Sequence, residues 1–145
     1  MSDHARSRID ELAADNERRL TEVYARLMAL GHHRAQDLAA HRGEKLEATQ
    51  RWLDEAEQDN RLFAVEVDGE LVVPASLLDP ELREIAEWHA VLEVVHQFRG
   101  PGWPRWTWID LPNGWLDGGV PSEIIQSDPQ AVLRAAKRKL ESLRG

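Results

Sequence analysis

The chain contains no cysteine. That absence closes disulfide frameworks, thiolate nucleophiles, Cys-ligated zinc sites and thiol-based redox control. No apolar run approaches the roughly 20 residues needed to span a bilayer. The opening residues, MSDHARSRIDEL, also lack the apolar stretch of a secretory leader, so a cytoplasmic protein with no membrane partner is expected. Positive charge is in deficit, with 18 Lys and Arg against 26 Asp and Glu. Nucleic-acid binders draw much of their affinity from neutralised phosphates, so a chain of net charge −8 needs a segregated basic patch to bind DNA. Residues 61–100 offer the reverse, three arginines against eight acids, while residues 101–145 carry six cations against five acids. Tyrosine and phenylalanine are scarce, at one and two, yet there are six tryptophans and four of them fall between Trp103 and Trp115.

The remaining composition is that of a globular protein, 42% hydrophobic and 30% charged. A length of 145 residues accommodates one compact domain or small modules sharing a core. Apolar positions Ile9, Ala13, Leu20, Val23, Leu27 and Leu30 recur at alternating steps of four and three, with Asn16 as the polar member. This heptad-like seam predicts a helix ended at Gly31. It suits either self-association through Ile9, Asn16, Leu20, Val23 and Leu27 or packing against the chain's own domain. His32 and His33 read as solvent-facing punctuation after that helix.

Between Arg34 and Gln58 the pattern Leu38-Ala39, Gly43, Trp52 has the phase of a helix-turn-helix, with Gly43 making the turn. Arg42, Glu44 and Thr49 stand where that motif expects apolar residues, so the segment is either a degenerate motif or one kinked helix. RLFAVEV, Asp68-Gly69 and ELVVP then predict a β-hairpin, because Asp-Gly between β-branched runs tolerates the positive φ of a tight turn. Asp79 as N-cap, Pro80 at the first helical position and Gly100 after the end predict a long helix, with Leu82, Ile85, Trp88 or His89, Leu92 and Val95 along its apolar stripe. Two further helices are expected, Pro121 to Gln126 and Pro129 to about Leu143.

The chain is therefore expected to be mainly α. It divides into a helical arm (1–31), a degenerate helix-turn-helix with a β-hairpin (32–78) and a small helical C-terminal domain (79–145).

Motifs for chemistry are missing. There is no GxxxxGK, GxSxG or HExxH, and no glycine-rich turn from strand to helix. His89, Glu93 and His96 share a helical face, but i to i+7 spans about 10 Å along the axis, too far for one ion. Asp110 and Asp117 flank the tryptophans and could imitate a catalytic pair, yet Asp is also a routine turn and cap residue. A non-catalytic chain without metal or cofactor is expected, and a small enzyme using a Trp-lined pocket stands as the lesser option. Trp106 with Ile109, and Trp108 with Leu111, have the spacing to face a core. The remaining aromatics suit interface anchors or the closed end of a bundle.

The run WTWIDLPNGWLDGGVPSEIIQSDPQAVLRAAKR resembles the C-terminal toxin-binding domain of Xre/MbcA/ParS-type antitoxins. There a hydrophobic helix leads through a Pro-Asn turn, a glycine pair and a proline into a short helix and a capped final helix. NRLFAVEVDGELVVPASLLDP is similar to the segment that precedes that domain, and the match covers about half the chain. The resemblance implies a dimeric cytoplasmic antitoxin that neutralises a cognate toxin, commonly a RES-type NAD-consuming enzyme, by direct binding. It implies a toxin-facing set of Trp115, Leu116, Asp117, Gly118, Gly119 and Pro121 with Arg134, Lys137 and Arg138. The alternative is a DNA-binding transcriptional regulator in which Lys45, Gln50 and Arg51 face the major groove. The acidic run Asp54-Glu55-Ala56-Glu57 opposes it.

Overall fold

A computed structural model describes residues 3–98 and 102–144. It is mainly helical with a small antiparallel sheet. The order is α1 (Asp3–Ala29), β1 (His32–Arg34), α2 (Ala35–Arg42), α3 (Leu46–Gln58), β2 (Val65–Val67), β3 (Glu70–Pro74), α4 (Trp88–Val95), α5 (Gly102–Asp110), α6 (Pro121–Ile124) and α7 (Pro129–Arg144). Sheet order is β1-β3-β2, with His33 opposite Val73 and Val65 opposite Val72. The hairpin turn is as expected: Asp68 and Gly69 both take positive φ, 51° and 80°, which matches the twist of the flanking strands.

The helix-turn-helix phase is realised as two helices. Gly43 takes the left-handed conformation (φ 67°) and closes α2, its N–H and that of Glu44 bonding back to Ala40 and Ala39. The polar replacements satisfy one another. Thr49 is fully buried and its hydroxyl donates to Glu44 Oε1 at 2.8 Å; the same oxygen accepts from Arg42 Nε at 2.5 Å. The Arg42 guanidinium lies 4.1 Å from the centroid of the Trp52 ring, a cation–π contact. With β2 and β3 packed after α3 and β1 pairing on β3, this half has the order of a helix-turn-helix carrying a β wing.

Two expectations are overturned. His32 and His33 lie in β1, part-buried on the sheet edge, and His32 Nδ1 donates to the Met28 carbonyl oxygen (3.1 Å). The long helix from Pro80 is confined to Trp88–Val95. Asp79 caps as an N-cap would, its Oδ1 accepting from the N–H groups of Glu81 (2.8 Å) and Arg83 (2.9 Å). Leu82 then turns left-handed (φ 63°), Leu78 bridges Glu84, and both Glu84 oxygens accept from Arg61 Nη1 at 2.8 and 2.9 Å. A closed loop with a part-buried ion pair has displaced the first two turns of helix.

One contiguous core receives residues from all three segments, running from Leu27 through Leu38 and Val72 to Trp88, Trp106 and Val132. Trp88 and Trp106 are among its largest fully buried side chains. Their ring N–H groups are satisfied by a short polar chain. Trp88 Nε1 donates to the Ser76 carbonyl (3.0 Å), Ser76 Oγ donates to Asp110 Oδ2 (3.0 Å), and Trp106 Nε1 donates to the same oxygen (2.9 Å). This pins α4 and α5 to the end of the sheet and fixes where the following turn begins.

Candidate functional site

Residues 111–120 leave α5 and return to α6 through a tightly bonded turn. Asn113 N–H donates to the Gly119 carbonyl (3.0 Å), Gly118 N–H to the Asn113 carbonyl (2.9 Å) and Gly119 N–H to the Leu116 carbonyl (2.9 Å). Asn113 Oδ1 caps the 3-10 turn Gly114–Leu116 by accepting from Trp115 N–H at 2.8 Å. Asp117 and Gly118 both take positive φ, 53° and 83°. The two glycines serve different ends. Gly118 is needed for its conformation, since a Cβ there would meet nothing within 4 Å. Gly119 is needed for close approach, because a Cβ would lie 2.6 Å from Ile124 Cδ1 and 3.0 Å from the Leu116 carbonyl oxygen.

On this closed turn Trp115 stands 44% exposed. It forms a ridge between two hollows. One, about 480 Å³, is lined by Thr107, Trp108, Leu111, Pro112 and Lys139; the other, about 160 Å³, lies against Ala131, Arg134, Ala135 and Arg138 of α7. Arg134, Lys137 and Arg138 are exposed, and among the described residues none of the three forms an ion pair. The structure thus brings Trp115, Arg134 and Arg138 to one surface, with Asp117 and Gly118 exposed on the turn that carries Trp115. Leu116 is half-buried against the core, and Pro121 is buried at the first turn of α6, so both support the turn from beneath. The lower tryptophans divide as their spacing indicated: Trp106 and Trp108 are buried, and part-buried Trp103 stacks between Tyr24 (4.0 Å) and Trp106 (5.2 Å).

The acidic and imidazole groups do not assemble into chemistry. Asp110 is buried and occupied by Ser76 and Trp106, while Asp117 is an exposed cap. His89 and Glu93 are exposed, and among the described residues no group of three or more metal-ligating side chains is placed to hold an ion. His96 is part-buried and its Nδ1 donates to Asn60 Oδ1 (2.6 Å), leaving Nε2 buried without a partner. Burial, with the Arg105 cation adding to it, pushes its pKa down to about 4, so the ring is neutral near pH 7.

Lys45, Gln50 and Arg51 are exposed at the start of α3, and so are Glu47, Asp54 and Glu55 on the same helix. The proposed self-association seam splits. Leu27 is fully buried in its own core and Val23 packs on it, whereas Ile9, Asn16 and Leu20 are exposed. Sequence reasoning missed Thr107, Lys139 and Leu143, which line hollows only because α1, α5 and α7 converge there. No protein-family model, curated protein or solved structure matches the chain. Among the described residues, no helix is long and apolar enough to cross a membrane.

Proposed function

We propose that the chain is a cytoplasmic antitoxin of the Xre/MbcA/ParS type that neutralises a partner protein, of the RES enzyme class to which the resemblance points, by occlusion. The observation that carries this reading is Trp115, a large ring held out from a turn whose backbone is already closed by its own hydrogen bonds. An aromatic anchor on a rigid turn loses little conformational entropy on binding, and Trp is a preferred interface hot spot. Arg134 and Arg138 border its smaller hollow and give the surface a sign opposite to that of the chain as a whole, which suits an acidic patch on the partner. The exposed half of α1 supports self-association, so the working unit is a homodimer. No step of bond chemistry is assigned to any residue.

Expression with the product of the adjacent reading frame tests this. That product is expected to be toxic alone, tolerated with this chain, and recovered in complex with it. A neighbour that is harmless alone and does not co-purify contradicts the reading.

A DNA-binding regulator is the second reading. The α2–α3 turn at Gly43, the exposed Lys45, Gln50 and Arg51, and the β2–β3 wing favour it. This rests on arrangement alone, and the acids on α3 oppose it.

A further inference from the structure

As far as Leu20, α1 leaves its large apolar side chains uncovered: Ile9 is 52% exposed, Leu12 62% and Leu20 44%. With Asn16 and Val23 they form one stripe, because steps of three, four, four and three residues at 100° each keep all five within a band about 80° wide. That spacing is symmetric. Read from Asn16 toward either end, the next members lie four and then seven residues away, so the stripe matches its own reverse.

We infer that two copies pair through α1 in antiparallel orientation with Asn16 at the twofold axis. Leu12 of each packs on Leu20 of its partner, and Ile9 of each covers Val23 of its partner. The inference rests on the self-association proposed above and specifies its geometry.

Three observations favour this occupant and direction. First, Leu27 is fully buried in its own core, so the C-terminal end of the stripe is already covered. A parallel partner would have to lie along that covered end and bring its own domain to the same place, whereas an antiparallel partner brings only its free N-terminal half. Second, an unfilled hollow of about 430 Å³ opens where the stripe meets the domain, lined by Leu20, Val23, Tyr24, Trp103 and Trp108. In the antiparallel register this is where Ile9 of the second copy arrives, so each apolar hollow is completed by the other chain. Third, Lys139 is the one charged residue among the described residues lining that hollow, so its lining is apolar enough to take an aliphatic side chain such as the arriving Ile9. At the axis the two Asn16 amides face each other, each offering a donor and an acceptor, which disfavours slipped registers.

The absence of cysteine makes the test direct. Ile9→Cys and Val23→Cys chains, prepared separately with different tags, are treated with a short bismaleimide alone and mixed. The antiparallel pair juxtaposes positions 9 and 23 of different chains, and holds the two copies of position 9 about 21 Å apart along the axis. Cross-linked dimer carrying both tags, with little from either variant alone, is the expected result. Strong cross-linking of Ile9→Cys with itself would show a parallel pair, leaving self-association intact and this geometry wrong. A concentration-independent monomer mass by sedimentation of the unmodified chain, with no cross-link in any mixture, would overturn both.

Discussion

Removing the Asp110 carboxylate should unfasten α5 from the rest of the core. Its Oδ2 accepts both the Trp106 ring N–H (2.9 Å) and the Ser76 hydroxyl (3.0 Å), and Trp106 is fully buried. Hydrogen bonds to a charged group contribute about 1.5–3 kcal/mol each, and each donor left unsatisfied costs about 1–3 kcal/mol. Against this, deleting the carboxylate removes the desolvation penalty of a buried charge. The balance for Asp110→Ala is a net loss of about 2 kcal/mol or more. Asp110→Asn separates geometry from charge. Both bonds converge on one oxygen, which an amide carbonyl can replace, so Asn should be milder than Ala by about 1 kcal/mol or more. Urea denaturation of the three proteins, read as midpoint shifts at constant slope, measures this. Equal losses for Ala and Asn, or a loss near zero for Ala, would refute the view that this oxygen fastens Trp106 and the adjoining turn.

Stability should fall as pH drops from about 6.5 toward 4. His96 is held neutral in the fold with its pKa pushed from 6.5 down to about 4, so over that window the unfolded chain binds more protons and acid favours unfolding. His96→Gln should flatten that slope in pH-dependent denaturation, and an unchanged slope would show that the ring is not held neutral. Gly118→Ala should cost about 1 kcal/mol through its positive φ, and Gly119→Ala more, because its Cβ meets Ile124 and the Leu116 carbonyl; thermal melts that reverse the order would overturn the assignment of their roles. Retention of upstream DNA by the isolated protein should be weak near physiological salt, since Glu47, Asp54 and Glu55 share the helix of Lys45, Gln50 and Arg51. Tight, sequence-specific shifts in fluorescence anisotropy would promote the regulator reading.

Where local chemistry decided the outcome, it was legible. Periodicity marked α1 and α7, Asp68-Gly69 marked the hairpin, and Gly43 marked the break between α2 and α3, because each rule acts within a few residues. The failures are tertiary. Asp79 and Pro80 are sound helix-start signals, yet the partner that pulled this stretch into a loop is Arg61, distant in sequence and tied to Glu84. The strand His32–Arg34 is too short for any period, and it exists because β3 offers it an edge. Thr49 looked like a defect in a motif core until Glu44 and Arg42 closed on it. The turn from Asn113 to Gly119 was visible as glycine chemistry, but the hollows beside Trp115 and Val23 draw on α1, α5 and α7 together, which no local pattern records.

The central claim is that Trp115 is an anchor for another protein and contributes little to its own fold. Trp115→Ala, carried through a thermal melt and a binding titration against the purified partner, tests it most directly. The ring is 44% exposed and its turn is closed by backbone bonds and by Asn113, so the melting temperature should stay nearly unchanged. The complex should weaken by about 2 kcal/mol or more, roughly thirtyfold in Kd, the scale of an interface hot spot. A lowered melting temperature with undiminished binding would make Trp115 part of the core and contradict the account.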